Sequence, residues 1–418
     1  MADTGGVEGG PRPPVRAIVL SGGGARGAYE AGVLAYLLGE VPKRLGRPVR
    51  PDLVLGTSVG AIHACFLAAT AHLGPERVKR LRDTWQRMRF DDLFRLSARE
   101  AVRLPGRLLG MRRLAAALRG SDPPEKLYGL LDTRALERLV VETIPWSGIR
   151  RNLVAGHLQA LCVATTQIAT GRTVVFVQGR DATRLRWVDD PTIVARSARI
   201  GPMHALASAA IPVLFPAVRV DGTYYADGGL RMNTPLSPAV HLGADRILVV
   251  GLRSAVPTGE VAALAEARVE GYGNPVFLYG KMLNTLLLDH LDTDLGQLRL
   301  INSILRNGEK AFGDEFLAEL NAAAGRNRVQ EGFRVVEDLV LRPSLDLGQL
   351  AGSLLAEKRT AGRLPRWMRL LVSGGGLEAD LLSYLFFDAE FTRELLELGF
   401  RDARAREDEL VAFFSDPP

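Results

Sequence analysis

The sequence predicts an α/β protein built on a mainly parallel sheet and followed by a helical C-terminal region. Short β-branched runs, most of them leading into glycine and an apolar helical pattern, alternate with helices along residues 15–252. Past residue 255 these runs give way to Leu, Ala, Glu and Arg at helical spacing. The 418 residues are 47% hydrophobic and 24% charged, enough for one large core with a second packed region.

Residues 1–14 (MADTGGVEGGPRPP) hold too few apolar side chains to bury and are expected to be disordered. They have no basic start ahead of an apolar run, so they do not read as a secretory signal. Residues 15–20 (VRAIVL) and 52–55 (DLVL) read as parallel strands, each feeding a helix. Residues 158–166 (LQALCVATT) and 172–177 (RTVVFV) read as two strands around a turn at Thr170 and Gly171. Residues 203–210 (MHALASAA) form a helix that stops before Pro212. Residues 219–225 run as a strand into Asp227, Gly228 and Gly229, and residues 246–252 (RILVVGL) are a further buried strand. A second glycine triplet at 374–376 reads as an interhelical loop, and 391–399 (FTRELLELG) has helical period. The expected organisation is a tail over 1–14, an α/β domain over 15–255 with a basic helical insertion at about 76–124, and a helical region over 256–418.

The net charge is +6, and it is unevenly spread. Residues 77–119 carry thirteen Lys or Arg against four acids, more net positive charge than the whole chain. Their apolar residues recur at loosely helical spacing, which suits basic amphipathic helices facing either solvent or an anionic lipid surface. Sparse aromatic residues and the lack of a recognition motif argue against nucleic acid. Cys65 and Cys162 sit in apolar stretches, as buried thiols do, so a cytoplasmic location with peripheral membrane contact is expected. Residues 53–75 contain no charged side chain, but the GTSVG near their start favours a strand, a turn and a buried helix over a membrane span.

Two glycine motifs carry the chemistry. In GGGARG, the spacing of Gly22, Gly24 and Gly27 fits a dinucleotide loop, yet amides freed at a helix start accept a phosphate or an oxyanion equally. A dinucleotide site needs an acid closing the second strand. Glu40 lies at a helix end and Asp52 opens its strand, so that requirement is not met. The second motif, Gly56 to Gly60 (GTSVG), has a strand before it and a helix after it, which is the setting of a nucleophile elbow with Ser58 at its tip. The helix start also favours negative charge developing there.

Ser58 requires a base. None of His63, His72, His157, His204, His241 and His290 stands in a loop beside an acid, and His204 is the least easily dismissed. Asp227, in YYADGGLRMNTP, is presented by a sharply turning loop, although taken alone it is better explained as a turn aspartate bonding its own backbone. A carboxylate is a weak base near neutrality, so a Ser–Asp pair depends on strong oxyanion stabilisation.

GGGARG at 22–27, GTSVG at 56–60, SAAIPVLFPAV at 208–218 and DGG at 227–229, in this order, resemble the patatin-like phospholipases over residues 15–252. The resemblance implies a three-layer α/β/α fold and hydrolysis of lipid acyl esters by a Ser–Asp dyad, with no histidine, metal or cofactor. It implies Ser58 as nucleophile and Asp227 as base. Gly22, Gly23 and Gly24 would supply oxyanion-hole amides, with Ala25 adding backbone and Arg26 adding charge or structural support. Acyl transfer to an acceptor other than water would use the same two residues, and an idle lipid-binding module would not need both.

Overall fold

The computed structural model describes residues 12–93, 131–180, 192–254, 291–325, 332–361 and 383–416. The expectations for residues 1–11, for the basic segment from 94 onward, for the triplet at 374–376 and for His290 lie outside the described residues.

Strand β1 (Arg16–Leu20) is buried at every position, as a strand covered on both faces must be. One 3-10 turn (Gly24–Arg26) leads into α1 (Gly27–Gly39) and then α2 (Val41–Leu45). Strand β2 (Leu53–Thr57) pairs parallel to β1 and runs directly into α3 (Val59–Ala69). Helices α4 (Glu76–Arg87), α5 (Phe90–Leu93), α6 (Arg134–Thr143) and α7 (Ser147–Val154) precede β3 (Ala160–Gln167). Then follow β4 (Thr173–Gly179), β5 (Ile193–Ser197), α8 (Pro202–Ser208), β6 (Val218–Val220), β7 (Thr223–Asp227), α9 (Leu236–His241) and β8 (Arg246–Val250). The C-terminal half adds α10 (Leu291–Phe312), α11 (Phe316–Ala323), β9 (Glu337–Leu341), α12 (Leu347–Thr360), α13 (Ala389–Ala405) and α14 (Glu407–Phe414).

The strands form one sheet in the order β5-β4-β3-β2-β1-β8-β9. Side chains alternate across it: Ile18 and Leu20 join one core with α1, α3 and α13, while Ala17 and Val19 join a second core with α9 and α10. The layers are therefore α/β/α, as expected.

Three elements depart from the sequence reading. The C-terminal region is not wholly helical, because EDLVL forms β9 parallel to β8. Its short apolar run gives little periodic signal before a sheet edge receives it. Strand β5 was not anticipated, and residues 219–225 fold as a β6–β7 hairpin rather than one strand. Asp221 and Gly222 turn that hairpin at φ 45° and 81°, the left-handed pair that an Asp-Gly turn adopts.

The described part of the basic segment is amphipathic. Arg77, Leu81 and Trp85 point inward from α4, while Lys79, Arg80, Arg82 and Arg87 are exposed. Arg77 donates to the Val49 carbonyl at 3.2 Å, and burial lowers its guanidinium to about 10. Cys65 and Cys162 are buried free thiols. No helix among the described residues is long and apolar enough to cross a membrane.

Candidate active site

Ser58 joins β2 to α3 at φ 55° and ψ −123°, a conformation a non-glycine residue adopts only under constraint. The flanking glycines provide that constraint by close approach. A Cβ on Gly56 would lie 2.1 Å from the Gly60 carbonyl oxygen, and one on Gly60 would lie 2.4 Å from that of Leu20. The G-x-S-x-G spacing is thus a packing requirement of strand, elbow and helix pressed together.

Asp227 reaches Ser58 through sheet register. Strand β2 pairs with β3 only as far as Thr57 opposite Ala164. Beyond that point β7 takes the same edge of β3, running antiparallel with Asp227 opposite Thr165. The ends of β2 and β7 therefore meet, and Ser58 Oγ donates to Asp227 Oδ2 at 2.7 Å. Asp227 Oδ1 accepts the Gly229 amide at 2.7 Å, which orients the carboxylate. Asp227 is 1% exposed and Ser58 5%. Burial pushes Asp227 up to about 7, against the lowering effect of the bonds from Ser58 and Gly229.

The third motif bridges both residues. The Ser58 amide donates to Ser208 Oγ at 2.8 Å, and Ser208 Oγ donates to the Ala164 carbonyl at 2.6 Å. Two residues on, the Ala210 carbonyl accepts the Asp227 amide at 2.9 Å. The resemblance drew on this stretch without assigning it a role.

At the glycine turn, the Gly22 amide donates to the Asn233 carbonyl at 3.1 Å, so this expected oxyanion donor is already engaged. The amides of Gly23, Gly24 and Ala25 have no acceptor among the described residues. Arg26 is buried and donates from Nε to Ser383 Oγ at 2.7 Å.

Ser58 and Gly24 open onto an apolar cavity. It follows one face of α3 through Val59, Ile62, His63 and Phe66, which span about 10 Å at 1.5 Å per residue. Helices α4 and α6, the residues after Ser208, and Tyr384 and Phe387 supply the other walls. Of the histidines, His204 supports the start of α8, where its Nδ1 accepts the Gly201 amide, and burial lowers its pKa.

His63 has a placement that the sequence did not signal. Its Nδ1 pairs with the fully buried Glu30 of α1 and its Nε2 accepts the Trp85 indole N–H at 2.8 Å, tying three helices together beside the cavity. The indole has no acceptor role, so the imidazole proton sits on Nδ1 and is donated to Glu30. Burial raises the Glu30 pKa, and the bond from His63 opposes that rise. Only a histidine five residues after Ser58 hinted at the arrangement.

No group of three or more His, Cys, Asp or Glu side chains able to hold a metal occurs among the described residues. The chain is 30% identical over 230 residues to a cGAMP-activated phospholipase of Pseudomonas aeruginosa, covering 53% of this chain and 55% of that protein. It thus spans about half the length of the curated relative it matches. A solved structure, VipD from Legionella pneumophila, aligns at TM-score 0.30 and 14% identity, over 92% of this chain and 67% of that one. The sequence also matches the patatin-like phospholipase family over residues 18–240, the stretch that carries the elbow, the glycine turn and Asp227. The chain belongs to the patatin-like phospholipase family.

Proposed function

We propose that the protein is a serine lipid acyl hydrolase in which Ser58 is the nucleophile, Asp227 the general base, and the amides of Gly23 and Gly24, with Ala25 behind them, the oxyanion donors. The observation that carries this reading is the 2.7 Å bond from Ser58 Oγ to a buried Asp227, at an elbow opening on an apolar cavity. Asp227 Oδ2 takes the hydroxyl proton as Oγ attacks the ester carbonyl carbon. The resulting oxyanion is received by the glycine-turn amides. Collapse breaks the bond to the leaving alkoxide, which takes the proton back from Asp227 and departs as the alcohol. Water then attacks the acyl-Ser58 ester and gives a proton to Asp227. A second collapse frees the fatty acid as Ser58 Oγ regains that proton.

The cavity walls are mostly apolar, with His63, Thr84, Thr143 and Tyr384 the polar side chains away from Ser58, so the acyl chain is the part of the substrate this site binds. Contact with an anionic bilayer through the exposed arginines of α4 belongs to the same reading. The test is a fluorophosphonate probe followed by intact-mass measurement, alongside fatty-acid release from mixed phospholipid vesicles. One adduct on the wild type is expected, with none on Ser58→Ala and a labelling rate at least about 10³-fold lower for Asp227→Asn. An adduct persisting on Ser58→Ala, or wild type that releases no fatty acid, overturns the reading.

A further inference from the structure

The 383–387 segment lies outside the stretch that matches the family, yet it rests against the glycine turn. Arg26 Nε donates to Ser383 Oγ at 2.7 Å, and the guanidinium carbon stands 4.3 Å from the centroid of the Tyr384 ring, a cation–π arrangement. The Tyr384 carbonyl presses on Gly24 so closely that a Cβ there would lie 2.2 Å from its oxygen. Gly24 is also at φ 57°, so only glycine combines this backbone angle with this approach.

The same segment forms part of the cavity that opens at Ser58. Tyr384 and Phe387 both line it, and Phe387 lies nearly parallel to Trp85 at 6.3 Å between ring centroids. The Phe387 carbonyl accepts the Phe90 amide at 2.7 Å, fixing its end of the segment to α5. Immediately afterwards Asp388 caps α13 and pairs with Lys358 at 2.7 Å. Helix α13 in turn interlocks with α1, the helix that the glycine turn starts: a Cβ on Gly32 would lie 2.1 Å from the Leu396 carbonyl oxygen. The segment is therefore held from both sides, by the oxyanion turn and by a helix packed on α1.

A peptide unit next to a glycine in the left-handed region rotates easily unless something bears on it, and an amide is useful to an oxyanion only when it points at the reacting carbon. The Tyr384 carbonyl bears on Gly24 directly, and Arg26, two residues along the chain from Gly24, grips Ser383, the residue before Tyr384. We propose that the 383–387 segment is an integral part of the active site. In it, Tyr384 and Phe387 determine acyl-chain selectivity, and Arg26 is a positioning residue that holds the segment so that Gly23 and Gly24 keep their donor geometry. The proposal rests on the reading of Ser58 as nucleophile given above.

The test uses the full chain and the p-nitrophenyl esters from butyrate to palmitate, with Tm measured for each variant. Phe387→Ala and Tyr384→Leu are expected to change the ratio of kcat/KM between long and short esters by about tenfold or more. Arg26→Met is expected to lower kcat on the order of 10²-fold at nearly unchanged KM, since a displacement of roughly 1 Å has that effect. Arg26→Lys, which keeps the charge without the Nε bond, should fall in between. If Arg26→Met does not fold, Ser383→Ala, which removes one hydroxyl, carries the positioning arm through the same kcat-against-KM split. A chain-length ratio unchanged in both Phe387→Ala and Tyr384→Leu overturns the proposal. So does a loss of rate in Arg26→Met or Ser383→Ala that only follows loss of Tm. Hydrolysis surviving in Ser58→Ala would overturn the nucleophile assignment instead, which separates the two failures.

Discussion

Asp227 shows how burial sets the chemistry of one residue. Its carboxyl is raised from 3.8 to about 7, mainly by desolvation, so it holds a proton in the fold at a pH where the unfolded chain has released it. To act as the proposed base it must be ionised, and kcat/KM is then expected to climb with pH through about 7 and to fall roughly tenfold per unit on the acid side. The effect on stability has the opposite sense. Ionising a group whose folded pKa is raised works against folding, so the penalty is absent below the unfolded value, grows as pH rises, and is complete above about 7. At about 1.4 kcal/mol per pKa unit this amounts to a few kcal/mol. Asp227→Asn keeps an acceptor for the Gly229 amide and removes the charge. It is expected to be inactive, to melt above wild type at pH 8, and to match wild type near pH 4. Melting curves at the two pH values check this, and an Asn variant no more stable at pH 8 contradicts it.

At the scale of elements, the elbow depends on three backbones meeting where side chains would collide. Gly60→Ala places a Cβ against the carbonyls of Leu20, the last residue of β1, and Ser21, which follows it into the glycine turn. The expected result is a loss of about 1–3 kcal/mol from overpacking, together with a loss of labelling at Ser58 out of proportion to it, read from denaturant midpoints and probe kinetics. Such contacts involve backbone and leave glycine in the sequence, which is why GGGARG, GTSVG and DGG were legible. The Asp-Gly pair at 221–222 was equally local and could have revealed the β6–β7 hairpin. The tie among Glu30, His63 and Trp85 was not legible, because it joins side chains from α1, α3 and α4 whose spacing in sequence follows no rule. The occupied Gly22 amide was hidden for the same reason, since its acceptor, Asn233, is brought in only by the loop after β7.

Across the whole molecule, the C-terminal half closes the α/β core at both ends of its strands. At the end near Ser58 the 383–387 segment meets the glycine turn. At the opposite end the last turn of α14 is gripped from the sheet. Arg16, 6% exposed at the start of β1, donates to the carbonyls of Phe413 and Ser415 and to Asp416 at 2.8–3.2 Å. Arg47 adds bonds to the Phe414 carbonyl and to Asp416, and Arg246 of β8 reaches the Phe413 and Ser415 carbonyls. A helix C-terminus carries partial negative charge and unpaired carbonyls, and here cationic side chains answer both. Bonds from a charged donor contribute about 1.5–3 kcal/mol each when buried, less where Asp416 remains open to water. Arg16→Met is therefore expected to lower stability by about 1–3 kcal/mol, because it removes the buried charged donor that the Phe413 and Ser415 carbonyls share with Arg246 while preserving side-chain bulk. Arg16 opens a five-residue strand parallel to the one that ends at Ser58, roughly 16 Å away at 3.3 Å per residue. Turnover per folded molecule at 25 °C should then equal that of wild type, in contrast to Arg26→Met, where turnover falls and Tm is largely kept. A Tm within 1 °C of wild type, or a change in kcat at full folding, would show that the two ends of the sheet are not independent in this way.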